Sequence, residues 1–125
     1  MKNLLVVDDD EMLRQLITSQ FEILGITRLI NVSEFENGLE ALNHIRDNKK
    51  EDIDLLITDL KMPEMEGNDL IGHIMREGLP KPKTIIVISG YMVKDQNINL
   101  EGVYFLNKPF DMNYFRSLVK ERLGV

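Results

Sequence analysis

The chain contains no cysteine. This excludes disulfides, thiolate metal sites and a cysteine nucleophile, and it suits a reducing compartment. No stretch approaches the ~20 consecutive apolar residues of a membrane-spanning helix. The apolar run Leu4-Leu5-Val6-Val7 is too short for a signal peptide and ends against three aspartates, Asp8-Asp9-Asp10. A cytoplasmic protein with no membrane partner is therefore expected. A long basic run is missing too; the densest pair is Lys49-Lys50, and the net charge is −6. Such a surface repels phosphate backbones, so direct contact with nucleic acid is not expected. Repeats, low-complexity segments and Pro/Gly/Ser-rich linkers are also absent, which points to one domain over residues 1–125, large enough to bury a core without a metal or disulfide staple.

What the chain does have is an alternation of short apolar runs with amphipathic stretches. Strand candidates are Leu4–Val7, Leu29–Phe35, Ile53–Thr58, Thr84–Ser89 and Val103–Asn107. Three of them are nearly continuous apolar runs, as expected for parallel strands covered by helices on both faces. The second carries Asn31, Ser33 and Glu34 and suits an edge. A first helix is expected from Leu13, Leu16, Ile17, Phe21 and Leu24, with Gly25 as its stop. A second spans about Gly38 to Asn48, with Leu39, Leu42 and Ile45 on one face. A third uses Leu70, Ile71, Ile74 and Met75 and ends near Gly78 and Pro80. A short, polar fourth lies around Val93 to Asn99. A fifth uses Phe115, Leu118, Val119 and Leu123, with Asp111 as N-cap. Five β-then-α units imply an α/β fold with a parallel sheet and right-handed crossovers. Ligands of such sheets bind beyond the C-terminal ends of the strands.

At those ends stand Asp8 and Asp9, then Asp59, then Ser89-Gly90, then Lys108-Pro109. Three carboxylates, a hydroxyl and an ammonium can thus meet at one sheet edge. Close carboxylates repel, and at least one pKa should rise. A hard divalent cation relieves that repulsion, and an all-oxygen donor set without His or Cys favours Mg2+. Phosphoryl transfer needs a nucleophile, neutralising charge and positioning. Asp59 can be the nucleophile, Mg2+ and Lys108 can neutralise, and Ser89 can hydrogen-bond a phosphoryl oxygen. Taken singly, each signal has a plainer explanation. Asp8-Asp9-Asp10-Glu11 also suits a helix N-terminus, Asp59 a turn before Pro63 and Gly67, Ser89-Gly90 a strand exit, and Lys108 a solvated surface charge. Their occurrence at successive strand ends favours a site.

The segments Val6-Val7-Asp8-Asp9, Thr58-Asp59-Leu60-Lys61-Met62-Pro63-Glu64-Met65-Glu66-Gly67, Ser89-Gly90 and Lys108-Pro109-Phe110 together resemble the receiver domain of two-component response regulators, over nearly the whole chain. The resemblance implies a flavodoxin-like doubly wound sheet of five parallel strands, order 2-1-3-4-5, with five helices. That strand order is a known property of the family, and periodicity alone does not supply it. The resemblance also implies roles. Asp59 is the phosphoacceptor. Asp9 ligates Mg2+ directly, Asp8 through a water, and Lys61 through its backbone carbonyl. Lys108 binds the phosphoryl oxygens, Ser89 moves toward them, and Phe105 is the switch aromatic. The Lys108-Pro109 peptide is expected to be cis. A sensor histidine kinase or phosphotransfer protein would donate the phosphoryl group. A downstream protein would read the face formed by the fourth helix, fifth strand and fifth helix. Beyond its own phosphorylation and dephosphorylation, no enzyme activity is expected.

Several positions depart from the commonest pattern: Ser89 stands for threonine, Gly90 for alanine, Phe105 for tyrosine, and Tyr104 for a smaller residue. Lys61 and Tyr91 each lie two residues beyond a site residue and, by the resemblance, overhang the phosphoryl group. They are expected to slow its hydrolysis, so replacing Lys61 by Asn and Tyr91 by Glu should speed it. His44 and His73 lie on expected helices away from the strand ends and are taken as structural. Glu64, Glu66 and Asp69 are taken as solvated, and the methionines mostly as core filler. Two rivals remain. A small-molecule phosphatase acting through an aspartyl phosphate would want an acid/base carboxylate where Lys61 stands. A flavodoxin-like cofactor binder would want a Gly- and hydroxyl-rich loop where Asp8-Asp9-Asp10-Glu11 stands. No output domain is expected within these 125 residues, which suits either a stand-alone regulator or a receiver from a longer protein.

Overall fold

Side chains alternate across a strand with period two, and here both faces of the central strands are apolar. Leu4, Val6, Leu55, Ile57, Ile86 and Ile88 join one buried cluster, while Leu5, Val7, Leu56, Ile85 and Val87 join another. That is why these runs are continuous and not alternating. A computed structural model describes residues 1–62, 64–90 and 102–125. It contains β1 (Lys2–Val7), α1 (Glu11–Leu24), β2 (Ile30–Phe35), α2 (Gly38–Asp47), β3 (Leu55–Asp59), α3 (Gly67–Arg76), β4 (Thr84–Ser89), β5 (Val103–Asn107) and α4 (Met112–Leu123). The five strands are all parallel, in the order β2-β1-β3-β4-β5.

Helices α1 and α4 cover one face through Ile17, Phe21, Phe115, Leu118 and Val119. Helices α2 and α3 cover the other through Ala41, Leu42, Ile45, Leu70 and Ile74. Helix α1 begins at Asp10, whose carboxylate accepts the Met12 N–H at 2.9 Å. It stops at Gly25 (φ 71°), whose left-handed conformation lets the N–H turn back to the Glu22 carbonyl. Asp111 caps α4 in the expected way, accepting from Asn113 at 2.8 Å.

Some expectations need correction. Four α-helices, not five, occur among the described residues; the expected helix around Val93 to Asn99 lies outside them, as does Tyr91. The second strand starts at Ile30, because Leu29 closes a single 3-10 turn over Thr27–Leu29. The third starts at Leu55. Asp54 precedes it, and its carboxylate accepts the Asn3 N–H at 2.8 Å and lies 3.3 Å from Lys83 Nζ. Leu16, Leu39 and Met75, expected on buried helix faces, are exposed. Met1 and Met12 are exposed as well, so methionine is not mainly core filler among the described residues; Met62 is the one that is buried there.

Candidate functional site

β1 ends at Val7 and β3 at Asp59, and the parallel register sets Val7 against Thr58. Asp8 and Asp9 therefore arrive beside Asp59. One carboxylate oxygen from each of Asp8, Asp9 and Asp59 lies within 4.8 Å of the others, with Asp8 and Asp59 buried and Asp9 exposed. The acidic run thus divides its work. Asp10 and Glu11 serve the start of α1, while Asp8 and Asp9 turn to the sheet edge.

Lys108 is brought there by β5 and held by its own N–H, which donates to the Ser89 carbonyl at 2.7 Å. Its Nζ lies 3.2 Å from Asp59 Oδ2 and 3.7 Å from Asp8 Oδ2. The Lys108-Pro109 peptide is cis, as expected. Ser89 is buried at the end of β4. Asp59 Oδ1 accepts a long hydrogen bond, 3.4 Å, from the Lys61 N–H. The loop from Leu60 to Gly67 closes on itself, with Gly67 N–H donating to the Leu60 carbonyl at 3.0 Å. A Cβ built on Gly67 would stand 2.3 Å from the Asp59 carbonyl oxygen, so only glycine fits this approach.

Burial raises the Asp8 carboxyl to about 6. Its hydrogen bond from the Asp10 N–H (2.8 Å) and the nearby Lys108 work against this, while the charges of Asp59 and Asp9 add to it. The expected rise is present, but desolvation leads and mutual repulsion is secondary.

Other expected residues fall as follows. The Lys61 ammonium lies 3.2 Å from Glu66 Oε1, so Glu66 is an ion-pair partner and not merely solvated. Phe105 is half-buried against the α2/α3 side of the sheet. Tyr104 points to the other side, where the Arg122 guanidinium of α4 lies 5.6 Å from its ring centre. His44 packs on Phe35, the last residue of β2, and His73 pairs with Glu77 at the end of α3. One residue near the site belongs to none of the sequence motifs. Arg14 is buried on α1, and its Nη1 donates to the Asp8 carbonyl at 2.5 Å. Its only signal in the sequence is a charge on the inward face, at i and i+3, i+7 with Ile17 and Phe21.

The donor set, three carboxylates without nitrogen or sulfur, fits a hard divalent cation such as Mg2+. Comparison with known proteins gives the family. The chain is 33% identical over 124 residues to a chemotaxis protein CheY homolog of Campylobacter jejuni, covering 97% of this chain and 92% of that protein. It is 32% identical to the Regulator of RpoS of Escherichia coli, over 94% of this chain but 34% of that longer protein. Among solved structures, the receiver domain from the hybrid histidine kinase CckA superposes with a TM-score of 0.70 at 32% identity, covering 97% and 98% of the two chains. The response regulator protein TrrA from Thermotoga maritima, in complex with Mg2+–BeF, superposes with a TM-score of 0.74 at 27% identity, covering 98% and 100%. A family model for the response regulator receiver domain matches residues 4–120, and the chain belongs to that family.

Proposed function

We propose that the protein is a phosphorylation switch in which Asp59 accepts a phosphoryl group in the presence of Mg2+. The observation that carries this reading is the meeting of Asp8, Asp9 and Asp59 with the Lys108 ammonium at one sheet edge. Asp9, Asp8 through a water, Asp59 and the Lys61 carbonyl would hold the metal, which when bound supplies charge neutralisation to the phosphoryl oxygens. An oxygen of Asp59 attacks phosphorus as the bond from phosphorus to the donor's leaving group breaks, and the leaving group departs with its electron pair. Lys108, already beside Asp59, binds a phosphoryl oxygen in the position where negative charge accumulates. Ser89, at the end of the adjacent strand, hydrogen-bonds another. Water later attacks the phosphorus, releasing phosphate and restoring the carboxylate. The donor is a histidine kinase or phosphotransfer protein, and the TrrA complex with Mg2+–BeF, a phosphoryl-like group, supports the ligand class.

The output is a change of surface. Arrival of the phosphoryl group shifts an equilibrium between two arrangements of Ser89 and Phe105, and a downstream protein reads a face that includes β5 and α4. Lys61 and Tyr91 set how long the phosphoryl group survives. No carboxylate stands at Lys61 to serve a small-molecule phosphatase, and the β1–α1 loop is too acidic to cradle a nucleotide phosphate.

The test is intact-protein mass after incubation with acetyl phosphate. A phosphoryl adduct is expected with Mg2+, is expected to vanish with EDTA, and is expected to be absent from Asp59→Asn. An adduct that persists in Asp59→Asn would place the acceptor elsewhere.

A further inference from the structure

Arg14 is a buried cation that the phosphoryl chemistry does not use, yet it reaches the site's backbone. It lies on the inward face of α1 and is 9% exposed. Its Nη1 donates to the Asp8 carbonyl at 2.5 Å. Its Nε is buried without a hydrogen-bond acceptor among the described residues. It lies 3.4 Å from Glu34 Oε1 on β2, in an ion pair too poorly aligned to be a hydrogen bond.

The place of that carbonyl matters. Asp8 is held at every polar group: its N–H donates to the Phe35 carbonyl at 3.1 Å, its carboxylate accepts from the Asp10 N–H, and its carbonyl accepts from Arg14. Asp9 is different. It is exposed, and its carboxylate accepts no hydrogen bond from the described residues. The orientation of Asp9 is therefore set through the Asp8–Asp9 peptide, and Arg14 is the side chain that grips that peptide.

We propose that Arg14 is a positioning residue for the metal: by holding the Asp8 carbonyl it aims the Asp9 carboxylate at the cation, with Glu34 tethering the guanidinium from the edge strand. This rests on the reading that the acidic cluster takes Mg2+. Partners that orient metal ligands commonly change affinity by about 10–100-fold when removed. Electrostatics alone predicts the opposite sign. Deleting a cation beside three carboxylates relieves its repulsion of Mg2+ and should tighten binding.

The experiment is Mg2+ titration by calorimetry on the full chain, with thermal unfolding in EDTA run in parallel. The variants are Arg14→Met, which keeps the bulk in a buried position, and Arg14→Lys, which keeps the charge but not the planar fork. The expected result is a Kd weakened about tenfold in Arg14→Met and about threefold or more in Arg14→Lys. Unchanged or tighter binding in a folded Arg14→Met overturns the proposal, and so does wild-type affinity in Arg14→Lys. If Arg14→Met does not fold, Arg14→Lys decides by the same criterion. Failure of the wild-type protein to bind Mg2+ at all would overturn the metal reading itself, an outcome distinct from any change between variants.

Discussion

At neutral pH the buried Asp8 carries a charge that its surroundings oppose. Its carboxyl titrates near 6 in the folded protein against 3.8 in the open chain, chiefly through burial. Between those values the folded state binds more protons than the unfolded one. This contribution therefore favours folding below pH 4 and is lost as pH rises through 6, leaving a penalty of at most about 3 kcal/mol at pH 7. Glu77 acts in the other direction and at lower pH: the hydrogen bond from Arg46 holds it down to about 2 against its burial, with help from His73. In EDTA, Asp8→Asn should therefore be more stable than wild type at pH 7 and should flatten the decline between pH 4 and 6. Urea unfolding at a series of pH values measures this, and a less stable Asp8→Asn at pH 7 would contradict it. The residue types at the strand ends were legible in the sequence because each is chemically distinctive. The division of labour within Asp8-Asp9-Asp10-Glu11 was not, since four consecutive acids look alike until the backbone turns. Arg14 is hidden for a related reason: nothing in a single chain marks which arginine on a helix lies inward beside an aspartate carbonyl.

Among the elements, the loop from Leu60 to Gly67 is restrained at several described residues. It leaves β3, passes Glu64 in a left-handed conformation (φ 69°), ties Lys61 to Glu66, and returns so closely that Gly67 abuts the Asp59 carbonyl. Gly38, at the start of α2, is similarly pressed, since a Cβ there would lie 2.7 Å from the Met65 carbonyl oxygen. Gly67→Ala should therefore force a backbone shift beneath the proposed acceptor, costing about 1–3 kcal/mol. Chemical denaturation should show that loss, and phosphorylation by acetyl phosphate should slow. An alanine variant with wild-type stability would mean that the loop yields readily. Helix ends were readable because Gly25 and Asp111 have one obvious use each. Helix faces were less so. Leu16, Leu39 and Met75 fit the apolar period but sit at the border of the buried stripe, where a shift of one position turns a side chain outward.

For the molecule as a whole, the alternation of strands and helices was legible and so was two-sided burial, because unbroken runs such as Ile85-Ile86-Val87-Ile88 have no polar face to offer water. Strand order was not, since periodicity says which face a side chain takes and nothing about which strand lies next to it; that came with the family resemblance. The observed order sets β1, β3 and β4 at the centre, and their hydrogen-bonding ladder does not stop where the strands do. Asp8 N–H donates to Phe35, Leu60 N–H to Ile88 and Lys108 N–H to Ser89, each across to a neighbouring strand. Asp8, Leu60 and Lys108 thus stand on further rungs of the sheet, while Asp9 and Lys61 lie one residue beyond them. Opening of these three amides should therefore be coupled to opening of the sheet. In native-state hydrogen exchange, the amides of Asp8, Leu60 and Lys108 should show opening free energies comparable to those of Leu56 and Ile86 in the strand centres. Exchange at these three amides as fast as at chain termini would show that the frame ends at the strands. With a slow frame, any rearrangement that followed the proposed phosphorylation would fall to side chains, and the backbone of Asp8 and Asp59 would stay registered through repeated cycles of use.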